Sequence, residues 1–163
     1  MIEIVILYVL TKYDANIYRI TKIVDEYFFG FLKGSTGTIN PALKRLEKIG
    51  AVEFKDKMSE GGMLSKIYSI TPEGKKHLSD LLLTFQSQNP YHILNEAKIL
   101  LYCSEVLSVS QMIEFKENIL NILELYKIKL ERGLKDEYIN LNPIQKRTIE
   151  ITLEETKSLI GAL

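Results

Sequence analysis

Short hydroxyl, amide and cationic side chains are concentrated in one stretch of the sequence, from Lys33 to Arg45. Its second half carries apolar residues at spacings of three and four between basic ones, which predicts an amphipathic helix. Because Pro41 has no N–H and is tolerated only near a first turn, the helix should begin near Ser35. The backbone N–H groups of such a helix start can bind phosphate, and its short side chains let it enter a groove. The stretch therefore predicts a helix that binds DNA.

The overall composition neither demands nor forbids a nucleic-acid partner. Lys+Arg and Asp+Glu both number 21, so the formal net charge is zero, although residues 33–57 hold six basic residues and only three acidic ones. A chain of 163 residues can bury a sizeable core without disulfides or metals, and its single cysteine fits a reducing compartment. The sequence has no signal-peptide pattern and no apolar run of the ~20 residues that a membrane span requires. The expected location is the cytoplasm.

The sequence lacks the patterns that carry catalysis or bind metals. His77 and His92, the only two histidines, lie far apart and join no cysteine or acidic cluster. There is no Ser/His/Asp arrangement, P-loop or glycine-rich nucleotide fingerprint. Cys103 lies on an apolar stripe, which favours a buried small residue over a redox sensor. We therefore expect no enzyme activity, no cofactor and no metal.

Two helices are expected before the basic stretch and a hairpin after it. Residues 2–10 are nearly all apolar, and Asn16 can cap a second helix with apolar residues at helical spacing. After the basic stretch the apolar residues alternate, as in a half-buried strand, up to a Gly-Gly tip at Gly61 and a return strand from Lys66. Thr71 then starts another helix, with proline at its first position. Three helices followed by a two-stranded hairpin predict a winged helix-turn-helix.

The rest of the chain is predicted to be helical, which makes the whole fold mainly α. The polar segment 86–90 marks the boundary between a winged-helix DNA-binding domain, residues 1–84, and a helical dimerisation domain, residues 85–163. Its helices are expected near residues 91–107, from about Ser108 to Ile139, and from Asn142 onward.

The long middle helix of this half carries two apolar stripes. A helix with one partner needs only one stripe, so we expect one partner from the same chain and one from a second copy. The predicted dimerisation residues are Met112, Phe115, Ile119, Ile122, Tyr126, Leu153 and Ile160.

Two sequence blocks resemble the PadR family of bacterial transcriptional regulators. They run from Ser35 to Gly50 and from Lys66 to Lys75, in the family's order and spacing, and the resemblance covers about residues 4–84. The sequence departs from the family pattern twice. Only Tyr18 remains of a His-Gly-Tyr motif, and Asn40 stands where a tyrosine usually precedes the proline. The later helices resemble, in length and pattern only, the dimerisation region of the longer family members.

The resemblance implies a homodimeric winged-helix regulator, a repressor, bound to double-stranded DNA. Lysines should supply the salt-dependent, sequence-independent part of the affinity. Thr36, Thr38 and Asn40 suit contacts with base edges, and asparagine suits adenine. The predicted DNA-binding residues are Lys33, Ser35, Thr36, Thr38, Asn40, Lys44, Lys57 and Lys66.

Two alternatives stay open at the level of sequence. Zero net charge and Asn40 are also compatible with a winged-helix protein-interaction module that does not bind DNA. A second question concerns the aromatic residues, which are expected in the core and dimer interface. They could instead line a pocket for a small apolar or aromatic effector, as PadR-like regulators can sense. These residues are Tyr8, Tyr27, Phe28, Phe29, Phe31 and Phe85.

Overall fold

The computed structural model describes residues 1–28, 30–58, 64–87, 89, 91–136, 138 and 140–163. Within these ranges the chain forms seven α-helices and one two-stranded antiparallel sheet, which confirms the predicted mainly α fold with a winged helix and a helical C-terminal region. The elements are α1 (Ile2–Lys12), α2 (Ile17–Tyr27), α3 (Thr36–Lys48), β1 (Val52–Met58), β2 (Leu64–Ile70), α4 (Pro72–Leu83), α5 (Ile93–Cys103), a 3-10 turn (Ser104–Val106), α6 (Val109–Lys135) and α7 (Pro143–Gly161).

The chain folds into two compact units. The first comprises Met1–Phe85 and Lys98–Ser108, and the second comprises Gln86–Ala97 and Val109–Leu163. The units do not divide the chain at a single point, because the end of α5 packs with the first unit through the ring of Tyr102. The assignment of residues 1–84 to DNA binding and 85–163 to dimerisation stays a prediction.

Helix α1 forms the centre of the first unit. It is apolar on nearly all sides, and a helix of this kind is stable only when other elements surround it. Helices α2, α3 and α4 and strand β2 pack against it. The buried residues of α1 are Ile4, Val5, Ile6, Leu7, Val9 and Leu10.

Two glycines set the connection between α2 and α3. Gly30 has a φ of +83°, a left-handed conformation that favours glycine and lets the chain turn after the buried Phe28. The N–H of Gly34 donates to Asp25 Oδ1 at 2.8 Å. A Cβ at Gly34 would lie 2.8 Å from the Thr21 carbonyl oxygen, so glycine permits the close approach of α3 to α2.

The hairpin is attached to the helices through its second strand. The backbone of Ala15 pairs with Tyr68 in both directions, with N···O distances of 3.1 and 2.9 Å. Strand β2 begins at Leu64, two residues earlier than the predicted start at Lys66. The predicted Gly-Gly tip lies in residues 59–63, outside the described residues.

In the second unit, α7 packs along α6. Asn142 and Gln145 form a reciprocal capping box at the start of α7, with both hydrogen bonds at 2.9 Å, and Pro143 follows as the first helical residue. Thr156 and Leu153 are buried. None of the helices in the described ranges has the length and apolar character needed to cross a membrane.

Two predicted helix ends were wrong, and local hydrogen bonds explain both. The helix expected to reach residue 107 ends at Cys103, where the Ser104 hydroxyl donates to the Leu101 carbonyl and a 3-10 turn follows. The helix expected to reach residue 139 ends at Lys135. There the Asp136 carboxylate accepts from the N–H of Tyr138, a turn that competes with helix continuation.

Candidate nucleic-acid interface

The start of α3 is fixed by two hydroxyl side chains. Ser35 is the N-cap, and its Oγ accepts from the N–H of Thr38 at 3.2 Å. The Thr38 hydroxyl in turn donates to the Ser35 carbonyl at 3.0 Å. Helix α3 begins at Thr36, as predicted. These mutual bonds assign Ser35 and Thr38 a capping role at the end that the sequence predicts to meet DNA.

The two sides of α3 differ sharply in polarity. Ile39, Ala42, Leu43 and Leu46 are buried. At 100° per residue, the exposed Thr36, Asn40 and Lys44 form a ridge at spacings of four along one flank of the helix, next to its buried side.

The structure does not bring all the predicted residues of α3 onto this ridge. Thr38 projects from the opposite flank, on the same side as Arg45. Arg45 Nε pairs with Glu3 Oε1 of α1 at 2.6 Å, which directs this cation toward the protein. Lys33 is exposed just before the cap.

The two predicted lysines of the hairpin project from opposite faces. Lys57 pairs with Ser65, so these residues share one face, and Lys66 therefore points to the other. Its ammonium lies 3.5 Å from the centre of the Phe54 ring, a cation–π contact. Lys57 and Lys66 consequently do not form one patch.

A groove of about 1130 Å³ lies between α2 and the Lys57 face of the hairpin. It contains two cations that the sequence analysis missed, Arg19 and Lys22, and the exposed Tyr18. Their positions on the polar side of the strongly amphipathic α2 could have identified them as surface groups. The groove also contains acidic residues, so its charge is mixed. Its charged lining residues are Asp14, Arg19, Lys22, Glu26, Lys55, Asp56 and Lys57.

A smaller cavity of about 190 Å³ lies between α1, α2 and the end of α5. Three of the aromatic residues that the sequence analysis singled out line it: Tyr8, Tyr27 and Phe28. Among the described residues, Lys12 is the only charged one in its lining. The Tyr102 ring completes the aromatic wall, with its centroid 4.9 Å from Phe28 and 5.8 Å from Tyr8. The full lining is Tyr8, Val9, Lys12, Tyr13, Ile23, Tyr27, Phe28 and Tyr102.

One carboxylate next to this cavity accepts two donors from α1. The Tyr8 hydroxyl donates to Glu105 Oε1, and Lys12 Nζ lies 2.7 Å from the same oxygen. The bonds from Lys12 and Tyr8 lower the pKa of Glu105, so it is ionised at neutral pH. Burial and the neighbouring carboxylate raise the pKa of Tyr8, which keeps its hydroxyl a neutral donor.

Cys103 is fully buried beside this cluster, as expected for a small apolar residue. Burial raises the pKa of its thiol, which disfavours the reactive thiolate. Among the described residues, no group of three or more His, Cys, Asp or Glu side chains could hold a metal ion.

The predicted dimerisation residues differ in accessibility within one chain. Phe115 and Ile119 are fully buried, and Leu153 is nearly so. Met112, Ile122, Tyr126 and Ile160 are partly exposed. A separate ridge of α6 carries exposed apolar side chains, namely Val109, Ile113 and Leu120.

Residues 6–80 match the model of the "Transcriptional regulator PadR-like family". A PadR-like transcriptional regulator from Bacillus cereus is 31% identical over 48% of this chain and 74% of its own, with a TM-score of 0.42. Two solved structures of Bacillus subtilis PadR are also similar, each over 98% of this chain and 92% of that one. The complex with operator DNA has 20% identity and a TM-score of 0.48, and the complex with p-coumaric acid has 22% and 0.44. No curated protein gives a significant sequence match.

Proposed function

Because this chain belongs to the transcriptional regulator PadR-like family and is thus a DNA-binding transcriptional regulator, we propose that it is a homodimeric repressor. Its operator is pseudo-palindromic, since the symmetry of a dimer is mirrored in the two half-sites that it binds. Helix α3 enters the major groove of each half-site, and the hairpin lies along the DNA beside it.

The polarity of α3 carries this proposal. Its buried side fixes the helix on the core, while the side chains of Thr36, Asn40 and Lys44 are exposed to solvent. Thr36 and Asn40 contact base edges, and asparagine can bind adenine through two hydrogen bonds. Lys44 and Lys33 bind phosphates. Ser35 and Thr38 cap the start of the helix, whose other N-terminal N–H groups meet the DNA backbone.

The hairpin lysines add contacts outside the major groove. Lys57 and Lys66 project from opposite faces of the hairpin, so they meet different parts of the DNA backbone. Lys57 lies on the side of Arg19 and Lys22, and together these cations offset the acidic residues of the groove. The contribution of each cation falls as salt rises.

Dimerisation occurs through the second unit. Because Phe115 and Ile119 are buried within one chain, the second copy covers the exposed ridge of Val109, Ile113 and Leu120. The partly exposed Met112, Ile122, Tyr126 and Ile160, together with Leu153, border the contact between the copies. Such a dimer places its half-sites about one helical turn, ~34 Å, apart.

The cavity beside α1 binds a small aromatic effector that releases the protein from DNA. A cavity of about 190 Å³ can hold a single substituted ring, since an apolar protein cavity of ~150 Å³ binds benzene. Aromatic walls and one lysine favour a ring with one negative charge. p-Coumaric acid, which B. subtilis PadR binds, has this chemistry and is a suitable probe.

Fluorescence anisotropy tests the DNA-binding part of the proposal. The purified full chain is titrated into a duplex from upstream of its own gene and into a scrambled duplex, at several salt concentrations. We expect tighter, salt-sensitive binding to the upstream duplex, weakened by added p-coumarate. Equal weak binding to both duplexes would favour the protein-interaction module.

A further inference from the structure

The end of α5 is fastened to α1 by the same two donors that line the cavity. Tyr8 and Lys12 lie one helical turn apart on α1, and both contribute to the cavity lining. Both also bind a single oxygen of Glu105, in the 3-10 turn that follows α5. Glu105 itself is not part of the lining. The cation and the phenol that could hold an acidic ligand are therefore already occupied by a carboxylate of the protein.

We propose that Glu105 acts as a built-in competitor of the effector. An acidic aromatic ligand would place its ring in the cavity and its carboxylate on the Tyr8 hydroxyl and the Lys12 ammonium, and so displace Glu105. This proposal rests on the effector binding proposed above and assigns its regulation to the 3-10 turn, Ser104–Val106.

The charges of the cavity favour an exchange of one carboxylate for another. Lys12 is the only charged residue in the part of the lining that the structure describes, and its 2.7 Å contact with Glu105 neutralises it. A ligand carboxylate that added to this site without displacing Glu105 would be repelled by the charge already there. An uncharged ring would fill the cavity without competing for Lys12.

The contact is also weak enough to be exchanged. The Glu105 and Lys12 side chains are about half exposed, at 54% and 41%. Solvent screens an ion pair at such a site, and exposed pairs contribute little to stability. By contrast, the aromatic contacts of Tyr102 with Phe28 and Tyr8 can persist when Glu105 leaves. The ligand would therefore release the turn without unfolding the end of α5.

The chain runs directly from this 3-10 turn into the second compact unit. Lys98–Ser108 belongs to the first compact unit, and Val109, the next residue, begins α6 of the second unit. Releasing the turn from α1 removes an anchor from the segment that leads into α6. Helix α6 carries the ridge proposed to bind the second copy, so ligand binding would reach the dimer through this segment.

Calorimetric titration of the full chain tests the competition. p-Coumarate and its neutral amide are titrated into the wild type, Glu105→Gln and the matched control Glu117→Gln, an exposed acid on α6. We expect Glu105→Gln to bind the acid up to ~fivefold more tightly than the wild type does, the range of an exposed ion pair. Its affinity for the amide should equal that of the wild type, and Glu117→Gln should change neither. Lys12→Met should abolish the preference for the acid.

Three outcomes would overturn the inference: equal affinity of the wild type and Glu105→Gln for the acid, an equal gain for acid and amide, or no binding of the acid to either protein. Circular dichroism of each variant verifies folding. Duplex binding without ligand is measured on the same samples. If the wild type gives one of these three titration results but still binds the operator in a salt-sensitive way, the competition by Glu105 is rejected and the DNA-binding proposal stands.

Discussion

The first compact unit presents two surfaces of opposite design, one on α3 and one between α1, α2 and the end of α5. On the α3 side, Thr36, Asn40 and Lys44 are exposed on a helix that is anchored by a separate set of buried residues, so the functional groups are in water. On the α1 side, Phe28 and Tyr102 form the wall of a cavity and belong to the core at the same time. Substitutions on the α3 ridge should therefore change binding alone, whereas those in the cavity wall should change stability as well.

The largest effect is expected in the cavity wall. Phe28 is 1% exposed, and Phe28→Ala should lower the free energy of unfolding by about 3–5 kcal/mol, the range of buried Phe→Ala changes. The exposed Lys44→Ala should stay within ~0.5 kcal/mol of the wild type. Urea denaturation of both variants measures the difference. A similar free energy of unfolding for the two would remove the distinction between the surfaces.

Two glycines near the start of α3 provide a matched pair of substitutions that separates packing from DNA binding. Gly34→Ala places a methyl 2.8 Å from the Thr21 carbonyl oxygen and should lower the free energy of unfolding by about 1–3 kcal/mol through overpacking. At Gly37, on the exposed side of α3, a Cβ would meet only Ser35 Oγ at 3.9 Å. Gly37→Ala should leave stability unchanged or raise it, since alanine favours helix, but weaken duplex binding. Thermal unfolding and anisotropy together separate the two effects, and a destabilised Gly37→Ala would contradict the described packing.

Asn40→Ala tests whether the ridge of α3 reads sequence. Losing a side chain that binds one base should remove about 1–3 kcal/mol of discrimination at a single operator position. Anisotropy with a set of single-base operator variants gives the measurement, and Lys44→Ala is the control for a phosphate contact. An equal loss on operator and scrambled duplex for both variants would show that Asn40 reads no base.

Lys57→Ala should weaken all duplexes alike. Removing one phosphate contact should reduce the slope of log affinity against log salt by about 0.9. An unchanged slope would exclude a phosphate contact by Lys57. Comparison with Lys66→Ala would show whether a lysine on the opposite face, held over the Phe54 ring, makes a contact of the same kind.

The smallest effect concerns the pH dependence of stability at Glu105. Its pKa is below the ordinary value of 4.5, so its bonds to Lys12 and Tyr8 stabilise the fold above that pH and are lost as pH falls below it. The difference in Tm between the wild type and Glu105→Gln should be constant from pH 6 to 8 and shrink below about pH 4.5. A difference that grows on acidification would contradict this ionisation.

Features decided within a few residues were predictable from sequence. Asn16, Ser35, Thr71 and Asn142 each cap a helix by binding an N–H three residues ahead, and all four helix starts were predicted. Such bonds depend on local spacing alone.

Features decided by packing were not predictable in the same way. The direction of Arg45 depends on Glu3, 42 residues earlier. The cavity depends on Tyr102 packing on α1, a contact that no local pattern indicates. Lys57 and Lys66 lie on opposite faces of the hairpin because of the strand register. The sequence did not reveal this register, because the hairpin tip separates the two lysines.

Hydrogen exchange of the full chain, read by mass spectrometry, tests most directly whether the two surfaces of the first unit have separate roles. The chain is measured alone, with the upstream duplex, and with p-coumarate. We predict that the duplex slows exchange in residues 33–48 and in the hairpin strands. p-Coumarate should instead slow exchange around the cavity in α1 and α2 and speed it in Ser104–Val106. Two results would contradict these separate roles. One is slower exchange in α3 with p-coumarate, and the other is slower exchange around the cavity, but not in α3, with the duplex.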